Sequence, residues 1–288
     1  MISCAMIAWN EATTIDLAIK SLRGVADEVV IVDTGSFDGT QKVAKTAFDI
    51  YKINGYIVEE KARCLRDARK KSIELCKGAW ILLLDANQVI SSTLGEVFLK
   101  HSRKHRGRVC AFRSLNLMGD YEHYFLNMPF MNWHMAFFER GGGYYQTGTI
   151  ADRPRFKSQI VSSDHWAVNL SRVRPAWRSW YRGEPFDKRF FKKGDENYCL
   201  KTSYMDRWSK AKKYDSIIDY MREVENITPH EVRQLAPEWY LDQLRRNATP
   251  LTKEMRASLP EVIKEELKNP RYKLIYDKNS IIGRHPEL

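Results

Sequence analysis

The sequence predicts an α/β protein: a mostly parallel central sheet flanked by helices on both faces, with a helical C-terminal extension. Three observations carry that prediction. Strand-like and helix-like segments alternate over about the first 90 residues and are joined by short polar turns, the order that builds parallel sheets. The stretch "WILLLDANQVI" (Trp80 to Ile90) opens with an unbroken apolar run bounded by polar residues. Such a run is too short for a membrane span and reads as a strand buried on both faces. Finally, Asn10 and Glu11, Asp33 and Asp85 fall at the carboxyl ends of three different strands, where ligands bind in sheets of this kind.

Taken in order, Ile2 to Ala8 reads as the first strand, Thr13 to Leu22 as a helix, and "EVVIVD" (Glu28 to Asp33) as the second strand. After "TGSFDGT" come a helix from about Gln41 to Phe48, a strand around Ile53 to Val58 and a helix from about Leu65 to Cys76. The strand Trp80 to Leu84 follows. Beyond Ser91 the pattern predicts a helix over Thr93 to His101 and short strands near Val109 to Leu115 and Phe137 to Glu139. A glycine-rich bend, "RGGGYYQTG", precedes another strand near Gln159 to Val161. From about Asp195 the chain reads as helices broken near Pro229, Pro237, Pro250, Pro260 and Pro270. A change of composition around Asp152 divides the chain functionally into a sheet-bearing core, 1–152, and a basic, aromatic and helical region, 153–288.

A chain of 288 residues with 43% hydrophobic content can build one sizeable core. Its apolar runs fall short of the roughly 18 to 20 residues that a membrane helix needs. The opening "MISCAMIAWNEAT" lacks the charged start and small-residue cleavage site of a secretory signal, so the expected location is cytoplasmic, in a bacterial or phage-infected cell. Five scattered cysteines (Cys4, Cys64, Cys76, Cys110 and Cys199), with no C-x-x-C pair, read as reduced thiols and exclude a zinc-finger pattern. The net charge of +11 favours an anionic partner such as nucleic acid, an acidic lipid surface or a phosphorylated glycan.

The stretches "IAWNEATTIDLAIKSLRGVADEVVIVDTGSFDGTQKVAK" and "DARKKSIELCKGAWILLLDA" together resemble the nucleotide-binding half of family 2 glycosyltransferases with the GT-A fold. The resemblance implies inverting transfer of a sugar from a nucleotide diphosphate donor, with 1–152 as the nucleotide-sugar-binding core. It implies that Asn10 and Glu11 line the nucleoside pocket, that Asp33 reads the base, usually uracil, and that Arg69 lies beside the nucleotide. A buried carboxylate can accept from an imide N–H, and a guanidinium offers a fixed fork of donors to phosphate or ribose oxygens. Read as lone residues, Asp33 could equally be a turn acid and Arg69 a solvated helix residue.

Asp85, Ala86 and Asn87 stand at the family's D-x-D position, where the resemblance implies a divalent cation, Mg²⁺ or Mn²⁺, bridging the diphosphate. The chemistry calls for one because the departing nucleotide gains negative charge as the glycosidic bond breaks. Here the last acid is an amide, whose oxygen can ligate but adds no charge. His165, in "SSDHWAV", is the expected compensating ligand, with Asp164 beside it. Inversion also requires a base for the acceptor hydroxyl. Asp152, in "TGTIADRP", matches the family's place for that acid, and Glu139, in "AFFERGGG", is the alternative.

Residues 153–198 interleave basic and aromatic side chains, including Arg153, Arg172, Arg178 and Lys192 among Trp166, Trp177, Trp180 and Phe190. That mixture suits a phosphate backbone with bases that stack, and would also suit a sugar face beside a lipid phosphate. Two acceptors follow: a hydroxymethylated pyrimidine in DNA, which is favoured, and a bacterial surface glycan such as lipopolysaccharide. A base acceptor would have to leave its stack to present the hydroxyl. A reading of another class is a catalytically lapsed member that only binds nucleotide or nucleic acid; the presence of Asp33, Arg69 and Asp85 argues against it.

Overall fold

β1 (Ile2–Ala8) has no exposed residue and forms the middle of an eight-stranded sheet, between β2 (Glu28–Asp33) and β4 (Trp80–Leu83). Both neighbours are buried throughout and run parallel to it, so the apolar runs read from the sequence become strands covered on two faces. The computed structural model describes residues 1–36, 39–60, 65–105, 107–126, 129–141, 144–147, 153–156, 160–173 and 246–268. Each fully buried Val, Leu or Ile in these strands contributes roughly 1.5–3 kcal/mol.

Between the strands lie α1 (Ile15–Ser21), α2 (Thr40–Tyr51) and α3 (Leu65–Leu75), with β3 (Gly55–Glu59) at the sheet edge. α1 buries Ile15, Ala18, Ile19 and Leu22 against one face of the sheet, the spacing of a helical stripe. Its Leu17 points into a second cluster with Val262 and Ile263. The other sheet face packs Val30, Ile81 and Leu83 with Cys76 and Ile73 of the α3 segment. Gly78 admits no side chain, since a Cβ there would lie 2.7 Å from the Ser3 backbone nitrogen.

The chain then adds β5 (Gln88–Val89), α4 (Ser92–Lys104), β6 (Val109–Asn116), β7 (His123–Phe125), β8 (Phe130–Glu139), β9 (Tyr144–Thr147), β10 (Arg153–Phe156) and β11 (Ile160–Asn169). The sheet order is β3-β2-β1-β4-β8-β6-β11-β5. Among the described residues, six of the eight strands run one way, while β8 and β5 run against them. The expected α/β class and mostly parallel sheet are therefore present. Two differences have physical causes. The strand expected only at Phe137 to Glu139 starts at Phe130, because pairing with β6 orders a segment whose own pattern is weak. The glycine-rich bend flows into the β9–β10 hairpin.

The sheet continues past Asp152, because β11 lies inside it beside β6. β12 (Ala248–Pro250), α5 (Lys253–Ala257) and α6 (Glu261–Lys268) pack back on α1 through Leu251, Leu259, Val262 and Ile263. Pro250 ends a strand where a helix break was expected, and Pro260 precedes α6. The helices expected around Pro229, Pro237 and Pro270 lie outside the described residues. No described helix is long and apolar enough to cross a membrane.

Candidate functional site

The carboxyl ends of β1, β2 and β4 stand side by side, since Ala8 pairs with Asp33 and Ala5 with Leu83. Three loops leave them at one rim. The first turns at Asn10, whose φ of 55° is left-handed, a conformation that Asn adopts more readily than most residues. The Asn10 N–H donates to Ser36 Oγ at 2.8 Å and so ties the first loop to the second. Glu11, next in the chain, is buried, and its N–H donates to Thr40 Oγ1 at 2.8 Å. Its carboxylate accepts from Thr14 Oγ1 at 3.0 Å and from Asn87 Nδ2 at 3.1 Å. Thr14 commits its hydroxyl to Glu11, and α1 accordingly begins without a side-chain cap.

In the second loop Asp33 is fully buried, and its Oδ1 accepts the N–H groups of Gly35 at 2.7 Å and Ser36 at 2.6 Å. This is the turn role open to any acid after a strand. Thr34, the next residue, lines the cleft that the loops enclose.

The third loop holds Asp85. Arg69, only 2% exposed, rises from α3 beneath the rim, donating from Nη1 to the Ala5 carbonyl at 3.2 Å and from Nη2 to the Asp85 carboxylate. One planar fork therefore fixes both a strand and the acid. The Asp85 N–H donates to Gln88 Oε1 at 3.1 Å, and Gln88 Nε2 donates to Ser114 Oγ at 3.1 Å. Gln88 is thus a buried residue of β5 tied to β6. Asn87 accepts the Leu170 N–H on its carbonyl at 2.8 Å, donates from Nδ2 to Glu11, and keeps Oδ1 buried with no hydrogen-bond partner.

Together Ile7, Ala8, Trp9, Glu11, Thr34, Asp85, Ala86 and Asn87 line a cleft of about 160 Å³. Trp9, Thr34, Ser36 and Thr40 were not singled out from sequence, although "TGSFDGT" carries the signal of a loop rich in hydroxyls and glycine. Underneath, burial pushes the Cys4 thiol well above its ordinary value, so it stays protonated.

Asp85 and Asn87 both line the cleft, the first with a carboxylate and the second with a buried side-chain oxygen that has no hydrogen-bond partner. That pair suits a hard cation whose other ligands are diphosphate oxygens and water. Among the described residues, no group of three or more His, Cys, Asp or Glu could hold a metal ion. His165 is exposed in β11 at the register shift between Ser162 and Trp166, with its N–H on Ser163 Oγ at 3.1 Å. Asn169, four residues on, is what pairs with Gln88. At about 3.3 Å per residue His165 sits roughly 13 Å back along the strand. The strand delivers Leu170, not His165, to Asn87.

Strand direction places Glu139, the alternative base, at the far end of β4 from Asp85. β8 runs against β4, so Glu139 pairs with Trp80 and accepts the Gly107 N–H at 3.1 Å. Trp80 opens β4 and Asp85 lies two residues past its far end, about 16 Å away at 3.3 Å per residue. Asp152 lies outside the described residues, as does most of the basic and aromatic tract.

A mostly parallel sheet whose carboxyl rim gathers an acid, amides and hydroxyls around a cleft defines a ligand-binding α/β protein of the nucleotide-binding type. Comparison with known families narrows the class: the family model "Glycosyl transferase family 2" matches residues 3–159, more than half of the chain. The chain belongs to that family, and its architecture is the one expected of the GT-A fold. An uncharacterized glycosyltransferase of Rickettsia bellii is 32% identical over 93 residues, covering 32% of this chain and 30% of the relative. One from Mycoplasma genitalium is 29% identical over 119 residues, covering 36% and 38%. The SPbeta prophage-derived glycosyltransferase SunS of Bacillus subtilis is 29% identical over 90 residues, covering 31% and 21%. The alignments thus span between 21% and 38% of these curated relatives' length. Among solved structures, S. aureus TarS in complex with UDP aligns over 94% of this chain and 92% of its own, at 13% identity and a TM-score of 0.44.

Proposed function

We propose that this protein is an inverting glycosyltransferase that moves a sugar from a nucleotide diphosphate donor, a UDP-sugar, to a hydroxyl on an anionic polymer. The observation that carries the reading is the Arg69–Asp85 pair at the rim, joined through Asn87 to Glu11 beside a cleft. In this reading the diphosphate lies against Asp85 and Asn87, and the nucleoside lies along the loops that Asn10 and Asp33 shape. Arg69 holds Asp85 at a fixed position, so the carboxylate pays no reorganisation as charge develops on the leaving group. A divalent cation bound between Asp85, Asn87 and the diphosphate would supply positive charge to the departing nucleotide. Asp152 is the acid assigned to take the proton from the attacking hydroxyl, on the strength of its place in the sequence.

The net charge of +11 and the interleaved aromatic residues support a phosphate-bearing acceptor, with a hydroxymethylated pyrimidine in DNA as the favoured one. The test is incorporation from a labelled UDP-sugar panel into hydroxymethyl-modified DNA, plain DNA and lipopolysaccharide, with wild type and Asp85→Ala. The expected outcome is transfer to modified DNA that Asp85→Ala lowers by about a hundredfold or more, the scale of a lost charge-stabilising group. Label in lipopolysaccharide alone would replace the DNA acceptor. Unchanged turnover by Asp85→Ala would remove the donor-site assignment.

A further inference from the structure

The acid missing at position 87 has a counterpart across the cleft. Asn87 Nδ2 donates to Glu11 Oε1 at 3.1 Å, although the two residues are 76 positions apart and leave different strands. Glu11 is 3% exposed, and its other carboxylate oxygen accepts from Thr14 Oγ1 at 3.0 Å. A carboxylate only accepts hydrogen bonds, so Glu11 decides which end of the Asn87 amide it meets: the nitrogen. The carbonyl Oδ1 is thereby turned away from Glu11 and left buried with no partner, in the residue that shares the cleft wall with Asp85. A buried oxygen without a donor is a standing cost to a folded chain, and it is relieved when a cation or donor group arrives. An aspartate at 87 would reverse the arrangement. Its carboxylate would face that of Glu11 at hydrogen-bonding distance, two like charges where little water can screen them.

We propose that Glu11 carries the second negative charge of the diphosphate site in place of an acid at position 87. It acts as a positioning residue that presents the Asn87 carbonyl oxygen to the cation and diphosphate of the donor. This rests on the donor reading given above and deepens it. Asn87 and Glu11 are then a matched pair, and the departure from D-x-D is a relocation of charge rather than a loss.

Calorimetric titration of UDP, with Mn²⁺ and with EDTA, into wild type, Asn87→Asp, Glu11→Gln and the double variant tests this, with a thermal melt of each protein. Each single change is expected to weaken UDP binding in Mn²⁺ by about tenfold, the scale of a hydrogen bond to a charged group. In the double variant the Gln amide donates to the new carboxylate, and affinity in Mn²⁺ is expected to return to within about threefold of wild type, the mark of coupled residues. A link that served only the fold would move the melts and leave the Mn²⁺ enhancement in place. Asn87→Ala, which adds no charge, is expected to lose that enhancement even where Asn87→Asp does not fold. Additive losses in the double variant, or Asn87→Asp binding UDP in Mn²⁺ as tightly as wild type, would overturn the pairing. Wild type that binds no UDP would overturn the donor reading instead.

Discussion

At Arg69 a full positive charge is held almost out of water between a main-chain carbonyl and Asp85. Removing it leaves Asp85 without its counter-charge. Arg69→Met is expected to cost about 3 kcal/mol in urea unfolding, the low end for a broken buried pair because Asp85 is 27% exposed. Arg69→Lys is expected to cost less, since an ammonium keeps the charge but lacks the planar fork that spans Ala5 and Asp85. Equal stability in all three proteins would mean that the pair does not hold the rim together. The sequence marks Arg69 and Asp85 separately, through resemblance, but not as a pair. They are 16 residues apart on a helix and a strand end, and no helical or strand spacing joins them. Asp33 illustrates the reverse case. Its position after a strand is legible, while its fully buried, turn-forming carboxylate emerges only once the Gly35 and Ser36 amides are placed.

Between elements, α6, the last described helix, is fastened to the core at its first residue and at its middle. Lys20 of α1 pairs with Glu265, and Ser92 at the start of α4 gives its N–H and hydroxyl to Glu261 at 3.1 and 3.0 Å. Burial alone would raise the Glu261 carboxyl. Hydrogen bonds from its own N–H and from Ser92, with Lys264 nearby, outweigh that and hold it below its ordinary value of 4.5. A depressed carboxylate stabilises the folded chain above the unfolded value, and the contribution fades as pH falls through the folded one. Glu261→Gln is therefore expected to lower the melting temperature at neutral pH and to converge with wild type as pH drops below the carboxylate range. A gap between the melting curves that persists at acid pH would show that the Ser92 contact acts through packing alone. The parallel strands and their helices were legible because their burial on two faces leaves long apolar runs. β5, two residues long, and the antiparallel course of β8 were not, since each is fixed by partners far along the chain rather than by a local period.

On the scale of the whole molecule, the sheet explains why widely separated residues share one rim and why others do not. Parallel strands bring the residues after β1, β2 and β4 to the same edge, and the reversal at β8 sends Glu139 to the opposite one. Strand direction is absent from an apolar pattern, so the end of the sheet at which Glu139 falls was not legible in the sequence. The most direct measurement of the central claim is the structure of crystals soaked with UDP. The account predicts the diphosphate against Asp85 and Asn87, with the nucleoside along the loop from Asp33 to Ser36. A nucleotide lodged at the opposite rim, beside Trp80 and Glu139, would contradict it.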